Sequence, residues 1–259
     1  MTDVVEHNRG AWNAQSASGT CEWSQPVDEA AIAAARKGDW SVVLTPTIPV
    51  PLEWFGELKG KRVLGLASGG GQQVPLFAAA GAQVTCIDAS DEQLAKDRLV
   101  ATREGLDIRL ERGDMADLSR FEDESFDLIF HPVSNSFAKD VRPVWQECHR
   151  VLTESGRLLA GFMNPVIYAV DWQKMEAGGH IEIRHPLPWS DLDHLPAEEL
   201  KAKLDKGELL EFGHTLEDQI GGQIAAGFSI QGFYEDRWDK SDYAITKLMP
   251  TAIATLAVK

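Results

Sequence analysis

The chain has 259 residues, which suits one large α/β domain with appendages or two small domains. Its 40 acidic and 25 basic residues give a formal net charge of −15. That charge disfavours nucleic acid and anionic membrane surfaces as partners, because binding to such surfaces depends largely on Lys and Arg. A small or uncharged substrate, or a basic partner, fits better.

The N-terminus and the cysteines show no sign of secretion or of disulfide bonding. The polar N-terminus lacks the apolar core of a signal peptide, and no apolar stretch approaches the roughly 20 residues that span a bilayer. The three cysteines show neither metal-ligand spacing nor a disulfide framework. We therefore expect a cytoplasmic protein, a monomer or a homodimer, with no membrane partner and no bound metal.

Residues 1–60 are predicted to form a helical cap. Asp28 and Gly38 bracket a short alanine-rich helix as its N-cap and its terminal glycine. The stretch that follows is punctuated by prolines and cannot be regular structure for long.

Strands and helices alternate in residues 61–163, the predicted core. The apolar runs predicted as strands are residues 62–67, 84–87, 108–110, 126–130 and 157–162. The segments predicted as helices are residues 72–80, 91–104 and 141–152. This alternation predicts an α/β fold in which a doubly wound parallel sheet binds its ligand at the carboxyl ends of the strands.

Two more strands complete a predicted seven-stranded, mostly parallel sheet. They are residues 228–234 and 252–258, within a C-terminal segment of residues 227–259, and they are expected to close the sheet edge as an antiparallel pair. The insertion of residues 164–226 is rich in His, Trp and Pro. We expect it to fold over the ligand crevice as a lid.

The first two strand ends carry candidate ligand-binding features. The glycine run of residues 69–71 lets the backbone approach a ligand, and the next helix offers unpaired N–H groups, although a tight turn alone would explain the glycines. Asp88 ends the second strand and can accept from both hydroxyls of a ribose, or can cap a helix. Val74 stands where a dinucleotide fingerprint requires its third glycine, so a nicotinamide cofactor is disfavoured.

The third strand ends in Gly113-Asp114-Met115. Asp114 can accept from an exocyclic amine, and Met115 can pack on a purine face. A Gly-Asp turn is a common alternative explanation. Its occurrence after two other strand-end features favours a nucleoside-containing ligand over a plain turn.

With these three strand-end features in this order, the sequence resembles the class I S-adenosylmethionine-dependent methyltransferases. Residues 63–71, Val-Leu-Gly-Leu-Ala-Ser-Gly-Gly-Gly, resemble their first motif, and Asp88 and residues 113–115 match their ribose- and adenine-contacting segments. Residues 126–130 and 147–159 match a strand and a helix–strand unit typical of the small-molecule branch that includes the ubiquinone and menaquinone biosynthesis methyltransferases. The resemblance implies a Rossmann-like fold, S-adenosylmethionine as cofactor and S-adenosylhomocysteine as product.

The resemblance also implies a cofactor site. The residues expected to contact the cofactor are Ala67, Ser68, Gly69, Gly71, Gln72, Asp88, Ala89, Gly113, Asp114, Met115 and His131. Two positions depart from the family, which usually has an acidic residue in place of Gly65 and a glycine in place of Ala67. The usual contact of that acidic residue with the methionine amino group must then come from elsewhere or through water.

The acceptor side has less specific candidates. Methyl transfer depends largely on orientation, worth on the order of 7–11 kcal/mol, and a general base helps when the acceptor is a hydroxyl or a protonated amine. His131 and His214 are candidate bases. Satisfying backbone groups before Pro132 is an equal alternative for His131, and His214 precedes a predicted helix start with Thr215 as N-cap and Asp218 at N3, a capping-box-like pattern. Trp12, Trp23 and Asn135 are candidates for an acceptor pocket, although such tryptophans often only bury a cap.

The sequence thus predicts methyl transfer to O, N or C of a small molecule. Two alternatives stay open. A regulatory module that binds the cofactor without transfer is suggested by the departures at Gly65 and Ala67. A protein acceptor is also compatible with the sequence, whereas the net charge of −15 argues against RNA.

Overall fold

The computed structural model describes residues 2–176, 178, 180–238 and 243–259. The strands in the described part of the chain are β1 (Arg62–Leu66), β2 (Gln83–Asp88), β3 (Ile108–Arg112), β4 (Phe126–His131), β5 (Leu152–Met163), β6 (Trp189–Ser190), β7 (Phe212–Gly213), β8 (Ser229–Asp236) and β9 (Ala252–Val258). Seven of them form one sheet in the order β3-β2-β1-β4-β5-β9-β8, and β6 and β7 form a separate pair.

The main sheet is parallel from β1 to β5, whereas β9 is antiparallel to both of its neighbours, β5 and β8. The predicted seven-stranded, mostly parallel α/β sheet with an antiparallel C-terminal edge is confirmed. The strand order reverses between β1 and β4. Open parallel sheets bind ligands beside such a reversal, at the carboxyl ends of the strands.

The helices in the described residues are α1 (Val4–Ser18), α2 (Glu29–Ala35), α3 (Leu52–Phe55), α4 (Gln73–Ala79), α5 (Asp91–Glu104), α6 (Arg142–Val151), α7 (Val166–Ala169), α8 (Trp172–Glu176), α9 (Asp191–His194), α10 (Ala197–Asp205), α11 (Gly222–Ala225) and α12 (Ala244–Leu248). Short 3-10 turns span Glu22–Ser24 and Asn135–Phe137, and a π-helical turn spans Glu217–Gly221. None of the described helices has the length and apolar character that crossing a membrane requires.

Helices cover both faces of the sheet and enclose two apolar cores. On one face the rings of Phe55, Phe77 and Phe130 pack together, with Phe77 and Phe130 centroids 5.1 Å apart. Trp40 packs edge-on against Phe55 at 4.9 Å. On the other face, the fully buried Trp145 is the largest side chain of the core. Because apolar side chains fill both faces of the sheet, a polar ligand site is expected at the strand ends.

The cap and the insertion meet above the carboxyl edge of the sheet. On the cap side, α1 packs against α5, where the Ser90 hydroxyl donates to Asn13 at 2.7 Å. The buried Asn8 on α1 donates to the Leu210 carbonyl at 2.9 Å and accepts from the Leu210 N–H at 2.8 Å. The amide of Asn8 thereby pairs with both backbone groups of Leu210 and joins the cap to the insertion. The boundaries at residues 60, 163 and 226 stay a prediction.

Candidate active site

A cleft of about 410 Å³ opens at the carboxyl ends of β1 to β4, beneath the cap and the insertion. The predicted site residues that line it are Trp12, Trp23, Ala67, Ser68, Gly69, Gln72, Asp88, Ala89, Gly113, Asp114 and Met115. The predicted site residues outside its wall are Gly71, His131, Asn135 and His214. The three strand-end features and both tryptophans therefore share one cleft.

The glycine loop is anchored by a carboxylate that the sequence analysis did not identify. Asp97, fully buried on α5, accepts hydrogen bonds from the backbone N–H groups of Gly70 at 3.2 Å and Gly71 at 3.0 Å. Burial and the nearby charge of Asp88 raise the pKa of Asp97 well above its usual range, although the two amide donors oppose that shift. Gly71 thus belongs to the support of the loop rather than to the cleft wall.

Close approach explains the glycine at position 70. Its φ is +120°, and a Cβ there would lie 2.5 Å from the carbonyl oxygen of Trp23. A side chain at this position would push the turn that carries Trp23 off the loop. The glycine therefore lets the cap lie directly on the loop.

The two departures from the family motif have distinct local structures. Ala67 adopts a φ of +47°, in the left-handed region that the family's usual glycine enters without strain. A Cβ on Gly65 would lie 2.5 Å from the Ser68 hydroxyl oxygen and 2.6 Å from Val74 Cγ2. Ser68 and Val74 therefore fill the space into which an acidic side chain at position 65 would extend.

Asp88 has a fixed orientation at the end of β2. One carboxylate oxygen accepts from the Ser90 N–H at 2.8 Å, and the other accepts from the Gly69 N–H at 3.0 Å. Burial raises the pKa of Asp88 to about 6, and these two amide donors oppose the rise. A carboxylate has about four acceptor sites, so two backbone bonds leave capacity for hydroxyl donors in the cleft.

The turn after β3 closes the same side of the cleft. The Gly113 N–H donates to the Asp88 carbonyl at 3.0 Å, and Asp114 accepts from the Ala116 N–H at 3.0 Å. A Cβ on Gly113 would lie 2.7 Å from Ile87 Cδ1, so the backbone passes directly over β2. Asp114 therefore stabilises a turn and also lines the cleft.

The structure places both candidate bases behind the cleft wall. His131 is fully buried, and its Nδ1 lies 2.9 Å from the Leu66 carbonyl oxygen, so this nitrogen carries the proton. Burial lowers the pKa of His131 to about 4 and keeps the ring neutral at pH 7. His214 is also buried, and its Nε2 lies 3.0 Å from the carbonyl oxygen of Ala138.

Two further predicted features form a structural unit beside these histidines. Asn135 exchanges amide hydrogen bonds of 2.9 and 3.1 Å with Gln219. The hydrogen bonds expected of a Thr215 cap are present, because the Asp218 N–H donates to the Thr215 hydroxyl at 3.1 Å and the Thr215 N–H donates to the Asp218 carboxylate at 3.4 Å. The helical turn itself is π-helical and begins at Glu217, with Leu216 at the N-cap position. These bonds connect the end of β4 to the insertion without reaching the cleft.

The cleft wall also carries a polar pair that the sequence did not indicate, formed by one residue from α7 and one from the segment before β7. Tyr168 on α7 donates to the Glu211 carboxylate at 3.1 Å, and both residues line the cleft. The available signal was a lone charge within the apolar run Leu209-Leu210-Glu211-Phe212. Met163 and Ile167 line the cleft beside the pair and make its surroundings apolar.

The tryptophans of the cap occupy different surroundings. Trp12 and Trp23 line the cleft, and Trp12 packs edge-on against Phe137 at 5.3 Å. Trp54 packs on Tyr234 at 5.4 Å instead and belongs to the apolar core.

Within the described residues, no cluster of three or more His, Cys, Asp or Glu is arranged to hold a metal ion.

Similarity to known proteins agrees with this geometry. Residues 64–160 match the family described as "Methyltransferase domain". The chain is 47% identical over 259 residues to the uncharacterized methyltransferase YbaJ of Bacillus subtilis (strain 168), and the match covers 100% of both proteins. A ubiquinone biosynthesis O-methyltransferase of Xanthomonas oryzae pv. oryzae (strain PXO99A) is 29% identical over 166 residues, 61% of this chain and 69% of that protein.

Two solved structures share the fold. An S-adenosylmethionine-dependent methyltransferase from Mesorhizobium loti aligns with a TM-score of 0.62 and 22% identity, over 80% of this chain and 95% of that one. A similar protein from Listeria monocytogenes, described as a putative S-adenosylmethionine-dependent methyltransferase, aligns with a TM-score of 0.64 and 19% identity, over 89% and 99%. At these identities the likeness concerns the fold.

Proposed function

Because this chain belongs to the S-adenosylmethionine-dependent methyltransferases, we propose that its cleft binds this cofactor along the carboxyl ends of β1 to β3 and methylates a small-molecule acceptor. The observation that carries the proposal is the convergence of Gly69, Asp88 and Asp114, from three successive strand ends, on one cleft. That cleft continues past them to a largely apolar end under the insertion.

The residues of the cleft fit the cofactor group by group. The free acceptor sites of the Asp88 carboxylate suit two ribose hydroxyls, and Asp114 with Met115 suits the amino group and the face of an adenine. A Cβ on Gly69 would lie 3.0 Å from the Asp88 carboxylate oxygen, so the absence of a side chain keeps that carboxylate accessible. Gln72 and the backbone of residues 67–69 then face the methionine end.

The bound cofactor supplies an electrophilic methyl group on a sulfonium sulfur. The protein's own contribution is to align an acceptor with it and to exclude water, which is where most of the rate in such a transfer can originate. We assign no proton transfer to His131 or His214, because both are buried behind the wall with their rings hydrogen-bonded to backbone carbonyls.

A small molecule is the acceptor that the enclosure favours. Trp12 and Trp23 cover the cleft from the cap, and Leu209 and Glu211 cover it from the insertion. We propose that this roof, joined through Asn8 and Leu210, acts as the lid. A folded protein acceptor would require the roof to open widely. A cytoplasmic location and a monomeric or homodimeric state are part of the same proposal.

Calorimetric titration with S-adenosylmethionine and S-adenosylhomocysteine tests the cofactor assignment. We expect both to bind, and Asp88→Ala to weaken binding by at least about a hundredfold, because two charge-assisted hydrogen bonds are removed. Asp107→Ala, which removes an exposed carboxylate in the loop before β3, is the matched control. Failure of the wild-type protein to bind either compound would refute the proposal.

Methyl transfer itself needs a separate test. The protein is incubated with cofactor carrying a labelled methyl group and, in separate samples, with a library of small molecules or with a mixture of cell proteins, and label transfer is followed by mass spectrometry. Transfer of the label to any small molecule supports the proposal that the protein is a small-molecule methyltransferase. Cofactor binding without transfer across the library, or transfer to proteins alone, would favour the regulatory module or the protein acceptor instead.

A further inference from the structure

Glu211 lines the cleft in a position that its neighbours along the chain determine. Its neighbours Leu210 and Phe212 point into the apolar core of the insertion, with exposures of 0% and 2%. The half-buried Glu211 between them points the other way and lines the cleft. In an extended segment, alternate side chains face opposite sides, so burial of the two neighbours forces this carboxylate toward the ligand.

The backbone of Glu211 is held on both sides. Its N–H donates to the Asp191 carboxylate at 2.9 Å, and its carbonyl accepts from the Asp191 N–H at 3.1 Å. Asn8 pairs with the adjacent Leu210 from the cap. Lys203 forms its ion pair with Asp191 at 2.8 Å, and its charge also lowers the pKa of Glu211 against the larger effect of burial. The backbone of Glu211 is therefore fixed, and Lys203 forms its ion pair with Asp191 rather than with Glu211.

Tyr168 orients the side chain of Glu211. Its ring lies against β7, where a Cβ on Gly213 would be 2.5 Å from the ring, so glycine is what allows the ring this position. Burial and the neighbouring charge of Glu211 raise the pKa of Tyr168 well above its usual range. The phenol thus stays protonated and donates one hydrogen bond to the carboxylate at 3.1 Å.

The charges in the cleft wall are unbalanced. Its carboxylates are Asp88, Asp114 and Glu211, and none of the described residues that line it is a Lys, Arg or His. Asp88 and Asp114 are taken up by the proposed cofactor contacts, whereas Glu211 is not. A half-buried carboxylate that forms no direct ion pair is costly. Burial raises the pKa of Glu211, although the charge of Lys203, which pairs with Asp191, opposes that shift. A positively charged ligand would offset that cost.

Aromatic rings line the same cleft as this carboxylate. Trp12, Phe137, Tyr168 and Trp238 all line the cleft. Rings of this kind attract ammonium groups through their faces and pack against apolar bodies through their area. The combination of one carboxylate, several rings and no wall cation suits an amine and disfavours an anion.

We infer that Glu211 binds the acceptor, and that the acceptor is a small apolar molecule carrying an amine. The amine donates to the Glu211 carboxylate while its apolar part packs between the rings of the cap and the insertion. This inference rests on the proposed function, because it takes the acceptor to enter the cleft that holds the cofactor. It assigns recognition, and not proton transfer, to Glu211.

Binding to the protein saturated with S-adenosylhomocysteine tests the inference without knowledge of the natural acceptor. The probes are a library of arylalkyl and alkyl amines, each matched by the carboxylate of the same size, with phenethylamine and phenylacetate as one pair. Saturation-transfer NMR and calorimetry measure binding. We expect amines among the binders and no carboxylate to bind better than its amine partner.

Variants then locate the binding. Glu211→Gln is expected to weaken the amines that bind by about tenfold or more, since a hydrogen bond to a charged group is lost. Glu208→Gln removes an exposed carboxylate from the same loop and is expected to leave amine binding unchanged. S-adenosylhomocysteine affinity should stay at the wild-type value in both variants, which confirms that the cleft is folded.

Three results would overturn the inference while leaving the cofactor assignment intact. They are preferential binding of carboxylates, equal amine affinity in wild type and Glu211→Gln, and absence of any amine binding to a protein that still binds S-adenosylhomocysteine. The comparison of amines with carboxylates uses the wild-type protein, so it holds even if Glu211→Gln does not fold. Loss of S-adenosylhomocysteine binding by the wild type would instead refute the proposed function.

Discussion

Replacing Asp97 with alanine is expected to destabilise the protein and to weaken cofactor binding together. The substitution leaves the buried N–H of Gly71 without its acceptor, whereas the N–H of Gly70 keeps a second acceptor, the Gln93 carbonyl at 3.1 Å. A buried donor without a partner costs about 1–3 kcal/mol, and loss of one of the two Gly70 hydrogen bonds adds about 0.5–1.5 kcal/mol. Removal of a buried carboxylate offsets part of this cost, so we expect the free energy of unfolding to fall by about 1–3 kcal/mol.

Two measurements on the same variant check this expectation. Urea unfolding followed by circular dichroism gives the change in free energy, and calorimetry gives the affinity for S-adenosylhomocysteine. We expect at least a tenfold loss of affinity, because the released loop no longer presents Gly69 and Asp88 in one orientation. Asp107→Ala is the matched control and should change neither quantity appreciably.

The anchoring role of Asp97 would be refuted by one clear outcome. If Asp97→Ala unfolds within about 0.5 kcal/mol of the wild type, the range of ordinary surface substitutions, and binds S-adenosylhomocysteine normally, then the two hydrogen bonds contribute nothing. If stability falls but affinity is kept, Asp97 supports the fold without shaping the loop.

Three further predictions concern the same loop and strand end. Since burial raises the pKa of Asp88 to about 6, its carboxyl is protonated in the folded state below that pH. S-adenosylhomocysteine affinity should therefore fall as the pH drops through 6, and a flat affinity profile from pH 5 to 7 would contradict this. The contribution of Asp88 to the free energy of unfolding should increase as the pH falls from 6 to 4, because over that range the folded state binds more protons than the unfolded state. Gly65→Asp should destabilise the protein by about 1–3 kcal/mol in urea, because Ser68 and Val74 occupy the space of the new side chain; undiminished stability would show that they move aside at no cost. Ala67→Gly should raise the free energy of unfolding by up to about 1 kcal/mol, because the left-handed φ of +47° strains alanine; a loss of stability would show that no strain is stored there.

The strands and helices of the core were largely predictable from the sequence. The helix over residues 91–104 has its predicted bounds because Ser90 and Gly105 end it through local bonds and local backbone preference. β5 is longer than predicted and begins at Leu152 rather than at Arg157. Its first residues pair with β4 across an irregularity in register, and such pairing has no local signal.

The family was also predictable, and the full-length relative confirms it. Gly69, Asp88 and Asp114 follow strands whose hydrophobic runs are visible in the chain, and parallel strands bring such positions to one edge by topology alone. This is why a sequence of local motifs sufficed to indicate the cofactor. The individual site roles stay predictions until binding is measured.

The positions of His131 and Glu211 relative to the cleft were not predictable in the same way. His131 ends β4, and its side chain turns inward to the Leu66 carbonyl, which no local pattern indicates. Asp97 is one charge among several on α5, and only the packed structure shows that its face lies under the loop.

The sequence by itself determined the order of strands and helices, the loop chemistry at the strand ends and the family, because each depends on contacts between neighbours along the chain. The tertiary structure alone decided which polar groups reach the cleft. The bond from Tyr168 to Glu211 spans 43 residues, and the pairing of Asn8 with Leu210 spans 202. Contacts at such separations depend on how the cap and the insertion pack over the sheet, and that packing is a property of the whole chain.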